Sequence, residues 1–116
     1  MNKKLKNLIE LSSSVQIYIP STIDVNKEID PIKYVDETLS YLSTLFGGAT
    51  SFKAMGCWQS ENAGLVKEKV IICKSFCNQS ALENHIDSII SYCEKLKDTL
   101  SQEAISLEIN NKLYFI

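Results

Sequence analysis

A single glutamate in a strand-like segment is the clearest candidate for acid–base chemistry. Glu68 interrupts the apolar run LVKEKVIICKS (65–75) and, by strand alternation, shares a face with Val66, Val70 and Ile72. A carboxylate among apolar side chains must be paired, hydrogen-bonded or at the sheet margin, and there it can act as a general acid or base. The alternative is structural pairing with a lysine on the same or the adjacent strand. The candidate lysines are Lys53, Lys67 and Lys69.

The second candidate is a ligand pocket with an aromatic wall and a few polar groups, a usual composition for such sites. Trp58, the only tryptophan, stands two residues after Gly56, and a glycine inside a strand indicates a bulge or the close approach of another group. The candidate ligand-binding residues are Tyr18, Gly56, Trp58, Glu68, Gln102 and Tyr114. Two alternatives stay open: Trp58 as a core or interface aromatic, and Gln102 as the residue that closes a helix.

The four cysteines and the single histidine offer two further kinds of chemistry. Cys73 and Cys77 are four residues apart, which is not the C-x2-C spacing of zinc sites, so no metal site is predicted. Cys77 precedes a helix that carries His85, and the dipole at a helix N-terminus lowers the pKa of a thiol, so these two residues form a candidate nucleophile and base. The alternative, small apolar thiols and a histidine at a helix edge, is favoured. The sequence therefore predicts no catalytic residue set and no cofactor.

Length and composition are those of an ordinary globular chain. The 116 residues predict one domain over 1–116, with an N-terminal extension over 1–14 that can hold a short helix. A hydrophobic fraction of 45% and a charged fraction of 22% argue against disorder. All 12 basic residues are lysines and the formal charge is -2, which disfavours general nucleic-acid binding.

The same composition predicts the compartment. No apolar run approaches the roughly 18 residues of a membrane span, and no signal-peptide core follows the basic N-terminus, so we expect no membrane association. Four cysteines in such a chain favour reduced thiols in the cytoplasm. Arginine-free usage rich in Lys, Asn, Ile and Ser indicates a low-GC bacterial or phage genome.

Hydrophobic periodicity predicts the elements that must position these residues. Alternation predicts strands, and three- and four-residue steps predict helices. The strands are predicted over 15–20, 50–59, 65–75, 104–109 and 112–116, and the helices over 31–46 and 80–100. A polar connection, STIDVNKE (21–28), separates the first strand from the first helix.

Capping and turn residues indicate where the predicted helices and strands begin and end. Asp30 is the predicted N-cap of the first helix, and Ser80 forms a capping box with Glu83 in the second. Gly47-Gly48 ends the first helix as a left-handed cap, and since it precedes a strand it is not a phosphate loop. Hairpin turns are predicted at 61–64 and at Asn110-Asn111.

The predicted order is β-α-β-β-α-β with an extra C-terminal strand. Two split βαβ units predict the ferredoxin-like α+β fold, with both helices on one face of an antiparallel sheet. The other face is then open, and a semi-apolar open face is usually covered by a second copy of the chain, so a homodimer is predicted. The residues predicted to populate the open face are Tyr18, Met55, Cys57, Ile71 and Cys73.

Several short segments also resemble a known family. FGGAT after the first helix, GCW in the second strand, LVKEKV in the third and SQEAI opening the fourth are similar to a family of small, functionally uncharacterised bacterial and phage-type domains. The resemblance spans about residues 45 to 109. It implies the ferredoxin-like fold and supplies no activity or catalytic residues.

The sequence favours a non-enzymatic binding or interaction module, a dimeric accessory protein of a bacterium or mobile element. Its partner is predicted to be a small ligand near Trp58 and Glu68, or a protein on the sheet face. The alternative is a small dimeric ferredoxin-like enzyme with Glu68 as acid or base. A third interpretation is pure assembly, with Trp58 buried in an interface.

Overall fold

The computed structural model describes residues 2–23 and 27–116 of the chain. The helices are α1 (Lys3–Lys6), α2 (Ile32–Phe46) and α3 (Gln79–Thr99). The strands are β1 (Ser13–Pro20), β2 (Thr22–Ile23), β3 (Lys27–Glu28), β4 (Thr50–Ser60), β5 (Gly64–Cys77), β6 (Ser106–Ile109) and β7 (Lys112–Phe115). Among these residues no helix is long and apolar enough to cross a membrane.

Five strands form one sheet in the order β4-β5-β1-β6-β7, and every neighbouring pair is antiparallel. The short strands β2 and β3 form a separate antiparallel pair within the connection that follows β1. Residues 24–26 of that predicted polar connection lie outside the described residues. The predicted α+β class with an antiparallel sheet is confirmed.

The hairpin of β4 and β5 extends past the rest of the sheet. β1 pairs with residues 70–77 of β5, whereas β4 pairs with β5 as far as the turn, where Ser60 is opposite Gly64. In the described part of the chain, residues 64–69 of β5 therefore have a paired strand on one side only, which is β4. We call residues 55–69 the projecting hairpin, and it contributes to the elongated shape of 54 × 27 × 22 Å.

The hydrophobic core lies between one sheet face and the two long helices. Val15, Ile17 and Ile19 alternate along β1 and are fully buried, as strand periodicity requires when one face is covered. The hydroxyl groups of Thr38 on α2 and Tyr92 on α3 are hydrogen-bonded at 2.8 Å. Both helices therefore lie on the same face, which we call the helix-covered face; the opposite one is the open face.

The predicted ends of the first long helix are confirmed to within one residue. The Asp30 carboxylate accepts a hydrogen bond from the N–H of Ile32 at 3.1 Å. At the other end Gly47 has a φ of +92°, and its N–H donates to the carbonyl of Ser43 at 2.7 Å. A left-handed residue at this position is the cap that the glycine pair predicts.

The predicted capping box at the start of the second long helix is wrong. Asn78 is the N-cap, and its side-chain oxygen accepts from the N–H of Ala81 at 2.7 Å. Because asparagine caps a helix at least as well as serine, α3 begins before Ser80, which then lies within the first turn. Glu83 instead accepts a hydrogen bond from the Gln79 amide at 3.3 Å.

The register corrects the predicted composition of the open face. Cys73 pairs with Ile17, whose side chain is fully buried under the helices, so Cys73 belongs to the helix-covered face. Ile71, Met55 and Cys57 follow it onto that face by alternation. Of the five predicted residues, Tyr18 alone lies on the open face.

The C-terminal hairpin has the predicted turn. Asn110 and Asn111 have φ angles of 50° and 67°, as a two-residue hairpin turn needs. Strand β6 begins at Ser106, two residues later than predicted, although the backbones of Ile105 and Ile116 still exchange hydrogen bonds at 3.2 and 2.9 Å.

Candidate functional site

Trp58 and Glu68 lie together on the open face of the projecting hairpin. Glu68 is directly opposite Gly56, and Trp58 is opposite Val66, so Trp58 and Glu68 are diagonal neighbours. Side chains in this relation are within reach of each other when one is large. Trp58 is 55% exposed, which leaves its ring available to a ligand or partner.

The lysines proposed as structural partners of Glu68 point the other way. Lys67 and Lys69 flank Glu68 in β5, so their side chains leave the opposite face, and Lys53 is paired with Ile71 on that same helix-covered face. The residue across from Glu68 is Gly56, which has no side chain. The register therefore does not support the prediction that a cross-strand lysine neutralises this carboxylate.

Gly56 is not a bulge. Pairing runs one to one from Thr50 opposite Lys74 to Ser60 opposite Gly64, without an extra residue on either strand. A Cβ at Gly56 would lie 3.7 Å from the carbonyl oxygen of Glu68, an ordinary contact. What the glycine provides is open space beside Trp58 and Glu68.

A cavity of about 310 Å³ lies at the unpaired edge of β5 and includes both residues in its lining. Ser21, Thr22 and Glu28, from the connection after β1, form its other side. The Ser21 hydroxyl donates to the carbonyl of Lys69 at 2.7 Å, which fixes this connection against the hairpin. The Thr22 hydroxyl oxygen is buried and has no hydrogen-bond partner among the described residues.

A larger cavity of about 670 Å³ adjoins the first, and the two share Ser21, Glu28, Met55 and Lys69 in their linings. It continues along the hairpin to the start of α2, where Asp30 and Lys53 line it. We call the two cavities together the edge trough. Carboxylates and ammonium groups both line it, together with an aromatic ring, so it suits a zwitterionic ligand that carries an apolar group.

Gln102 contributes to this site indirectly. Its side-chain amide donates to the carbonyls of Thr22 at 2.9 Å and Leu100 at 3.0 Å. It therefore ties the end of α3 to the strand that lines the edge trough, which combines the predicted helix-closing role with a positioning role.

The two tyrosines lie elsewhere. Tyr18 is opposite Ile72 of β5. Ile72 is four residues from Glu68 in the same strand, so Tyr18 lies about 13 Å from Glu68 along the strand direction. Its hydroxyl donates to Glu108 at 3.2 Å, and its pKa is raised, first by burial and then by the negative charge and hydrogen bond of Glu108. Tyr114 is on β7, beyond β1 and β6, and lines a different groove against α3. The structure therefore brings together Gly56, Trp58 and Glu68 but not the tyrosines.

The cysteine and histidine alternative is not supported. Cys77 is only 3% exposed, and burial raises the pKa of its thiol, the opposite of what a nucleophile needs. His85 packs edge-on against the ring of Phe46, with 5.8 Å between ring centres. Within residues 2–23 and 27–116, no three His, Cys, Asp or Glu side chains cluster to hold a metal ion.

The sequence prediction missed Ser21, Thr22 and Glu28. The segment that holds them is polar and has no hydrophobic periodicity, so the sequence predicts only a loop between β1 and α2. The one available signal is Pro20, which ends β1 while β5 continues, so that an edge of β5 is left for the following residues.

No protein-family model matches the chain, and no curated protein matches it in sequence. Two solved structures share its fold. A phage SAM lyase in complex with S-methyl-5'-thioadenosine has a TM-score of 0.65 and 15% identity, over 95% of this chain and 92% of that one. A phage SAM lyase in the apo state has a TM-score of 0.62 and 16% identity, over 95% of both chains.

These likenesses correct the function prediction. The two matched structures that span nearly the whole chain are lyases, so the preference for a non-enzymatic binding or interaction module is contradicted. The predicted alternative, a small enzyme, agrees better with them. At this identity the chain is similar to phage SAM lyases in fold.

Proposed function

We propose that this protein is a lyase that cleaves S-adenosylmethionine (SAM) and releases S-methyl-5'-thioadenosine, with Glu68 as its principal functional group. The observation that carries the proposal is the Glu68 carboxylate beside the exposed Trp58 ring, opposite a glycine and free of a cross-strand lysine. The fold shared with phage SAM lyases supports it.

The edge trough has groups for each part of this substrate. SAM joins an adenosine to a sulfonium ion and an amino acid, and Trp58 offers a face on which the purine can stack or the cation can rest. The cavities of about 310 and 670 Å³ lie in the size range of small-molecule sites. Lys69 lines both cavities at the sheet edge, and its long side chain can bind the substrate carboxylate there.

The proposed reaction breaks the bond between the sulfur and Cγ of the methionine part. Its electron pair goes to sulfur, which becomes a neutral thioether. Cγ must receive electrons in return, and two routes balance. The substrate carboxylate attacks Cγ and closes a lactone, or a base removes a Cβ proton and leaves an alkene.

The loss of positive charge from the substrate sulfur during the reaction determines where the Glu68 carboxylate can stabilise the transition state. The sulfonium charge disappears as the bond breaks, so a carboxylate next to sulfur stabilises the substrate more than the transition state. We therefore place Glu68 against the amino-acid part, where it removes the Cβ proton in the alkene route or holds the ammonium group in the lactone route. The apolar Trp58, Met55 and Val66 side chains suit the developing thioether.

We also infer the ferredoxin-like arrangement for the fold. In its support, β1 is central between β5 and β6, both long helices cover one face, and the hairpin partner β4 is at the edge. The β6–β7 hairpin adds the extra strand.

The test is incubation of the purified protein with SAM, followed by chromatography of the nucleoside product and mass spectrometry of the four-carbon product. We expect S-methyl-5'-thioadenosine to form, and the second product to identify the route. In the alkene route, Glu68→Gln should lower kcat/KM by about 100-fold to 10,000-fold, the range for removal of an acid–base group. In the lactone route it removes a hydrogen bond to a charged group, worth about 1.5–3 kcal/mol, and should lower kcat/KM by about 10-fold to 150-fold. Glu94→Gln, an exposed position on α3, is the matched control and should leave turnover unchanged.

Trp58 gives the second arm of the same experiment. Stacking of a base on an aromatic ring is worth about 1–3 kcal/mol, so Trp58→Ala should raise KM by roughly 5-fold to 150-fold, and Trp58→Phe by less. Absence of turnover in the wild type, or turnover indifferent to Glu68→Gln, would contradict the proposal.

A further inference from the structure

Four residues line both cavities of the edge trough, so they lie where the two cavities meet. They are Ser21, Glu28, Met55 and Lys69. Two of the four are charged, and their charges are opposite. Glu28 belongs to β3 and Lys69 to β5, and both residues are exposed. The junction of the two cavities therefore presents a carboxylate and an ammonium group to the same ligand.

Ser21 holds the chain segments that carry these two charges. Its carbonyl oxygen accepts a hydrogen bond from the N–H of Ile29, the residue after Glu28, at 3.0 Å. Its hydroxyl donates to the carbonyl of Lys69 at 2.7 Å. One residue thus ties the backbone beside Glu28 to the backbone of Lys69. A binding site whose groups are held in this way loses less entropy when its ligand binds.

The pairing of β2 with β3 directs Glu28 towards the edge trough. Thr22 is paired with Glu28, so the two side chains leave the same side of this strand pair, and both line the smaller cavity. Ile23 and Lys27 form the neighbouring pair, and by alternation their side chains leave the other side. The amide of Gln102 donates to the carbonyl of Thr22 at 2.9 Å, which also holds β2 in place.

We propose that Glu28 and Lys69 form a subsite for the α-amino-acid part of the substrate, in which Glu28 accepts hydrogen bonds from the α-ammonium group and Lys69 donates to the α-carboxylate. The subsite rests on the proposed SAM lyase function and adds Glu28 to it as a specificity-determining residue. The two groups of an α-amino acid are attached to one carbon and carry opposite charges, as the two side chains do. An ammonium group has three N–H donors, so in the lactone route Glu28 and Glu68 can share it.

The alternative role for Glu28 and Lys69 is an ion pair with each other. An exposed ion pair contributes little to stability, because water and salt screen its charges. A zwitterionic ligand that offers a partner to each charge can therefore replace such a pair at small cost. S-methyl-5'-thioadenosine has neither an ammonium group nor a carboxylate. The subsite should therefore favour binding of SAM over retention of the nucleoside product.

The test compares the dissociation constants of SAM and of two analogues, one without the α-amino group and one without the α-carboxylate. Stopped-flow fluorescence of Trp58, the only tryptophan, records binding before turnover, and calorimetry serves for ligands that are not cleaved. Glu28→Gln should raise the dissociation constant of SAM about 10-fold, the low end for a hydrogen bond to a charged group. For the analogue without the amino group it should change by less than about 2-fold, because the contact is already missing.

Lys69→Met gives the second half of the comparison. It should weaken binding of SAM and leave the dissociation constant of the analogue without the carboxylate unchanged. Glu28→Asp keeps the carboxylate and should retain part of the preference for SAM over the analogue without the amino group. The controls are Glu94→Gln, on the exposed surface of α3, and Lys27→Gln, on the side of β3 away from the edge trough. Neither should change the dissociation constants, and circular dichroism must show native spectra for every variant.

The outcomes separate this subsite from the lyase proposal. Equal losses for SAM and for the analogue without the amino group, or SAM binding indifferent to Glu28→Gln, would overturn the subsite. If the wild type still released S-methyl-5'-thioadenosine, the lyase proposal would stand. A wild type that binds SAM with the expected selectivity but releases no S-methyl-5'-thioadenosine would overturn the lyase proposal alone. A wild type that does not bind SAM would overturn both.

Discussion

The two ends of the sheet differ in how they are covered. One end of the sheet lies under α2 and α3, and we call it the covered end. There Val15, Ile17 and Ile19 are each 0% exposed. On the projecting hairpin, Met55, Trp58 and Leu65 are 58%, 55% and 56% exposed. Burial of apolar side chains is what stabilises a fold, so the first end holds the chain together and the second is available for a ligand or a partner.

Polar groups follow the same division. At the covered end, the buried Ser13 hydroxyl donates to Gln79 at 2.7 Å, and Thr38 is hydrogen-bonded to both Tyr34 and Tyr92. Beside the hairpin, the buried Thr22 hydroxyl oxygen has no such partner among the described residues. An unsatisfied buried group costs stability, so hydrogen bonding is less complete beside the hairpin than under the helices.

The largest test of this contrast is truncation of one large side chain at each end. Ile17→Ala should lower the free energy of unfolding by about 2–5 kcal/mol, because it removes buried methyl groups and leaves a cavity. Trp58→Ala should change it by no more than about 0.5 kcal/mol, as expected for an exposed position. Urea unfolding followed by circular dichroism measures both. A loss at Trp58 as large as that at Ile17 would show that the hairpin is part of the stabilising core.

A second test uses the buried thiols of the covered end. Burial raises the pKa of Cys73 from 9.0 to about 11, and that of Cys93 from 9.0 to about 12, with a smaller contribution from the charge of Glu94. Above about pH 9 the unfolded chain loses these protons while the native state keeps them. The free energy of unfolding should therefore fall as pH rises, by roughly 1.4 kcal/mol per pH unit for each thiol until its native pKa is reached.

Matched cysteine variants isolate this effect from the titration of lysines and tyrosines. Urea unfolding at about pH 8, 9 and 10 should show a shallower alkaline loss for Cys93→Ala than for the wild type. The variant at the exposed position, Cys57→Ala, should keep the wild-type slope. Equal slopes in all three proteins would mean that burial does not keep the Cys93 thiol protonated.

The sequence predicts the covered end better than the hairpin, for a physical reason. Burial imposes periodicity, so α2, α3 and β1 could be located within a few residues. The assignment of Met55 and Cys73 to a sheet face failed because it depends on register, which is set by pairing between strands far apart in the chain. Capping failed at Ser80 because a competing asparagine stands two residues earlier.

The candidate site was partly predictable. Glu68 and Trp58 could be found because a charge within an apolar strand and a lone tryptophan stand out from their surroundings. Ser21 and Thr22 lie beside these two residues only because β5 extends past the end of β1. No local sequence pattern indicates this difference in strand length. The preference for a non-enzyme came from the lack of a catalytic triad or metal set. The proposed cleavage of a sulfonium ion needs neither, since its leaving group is already activated.

The smallest expected effects come from two glycines, one at each end. Gly47 caps α2 with a φ of +92°, so Gly47→Ala should cost about 1 kcal/mol of stability even though no atom lies within 4 Å of the new methyl group. Gly56→Ala should leave stability within about 0.5 kcal/mol, because its Cβ would make an ordinary contact of 3.7 Å in regular strand backbone. The methyl group would nevertheless occupy the space opposite Glu68 and beside Trp58, so kcat/KM for SAM should fall in this variant and not in Gly47→Ala. Paired urea unfolding and SAM turnover measure the two effects. If Gly56→Ala left turnover unchanged, the open space opposite Glu68 would have no part in binding the substrate.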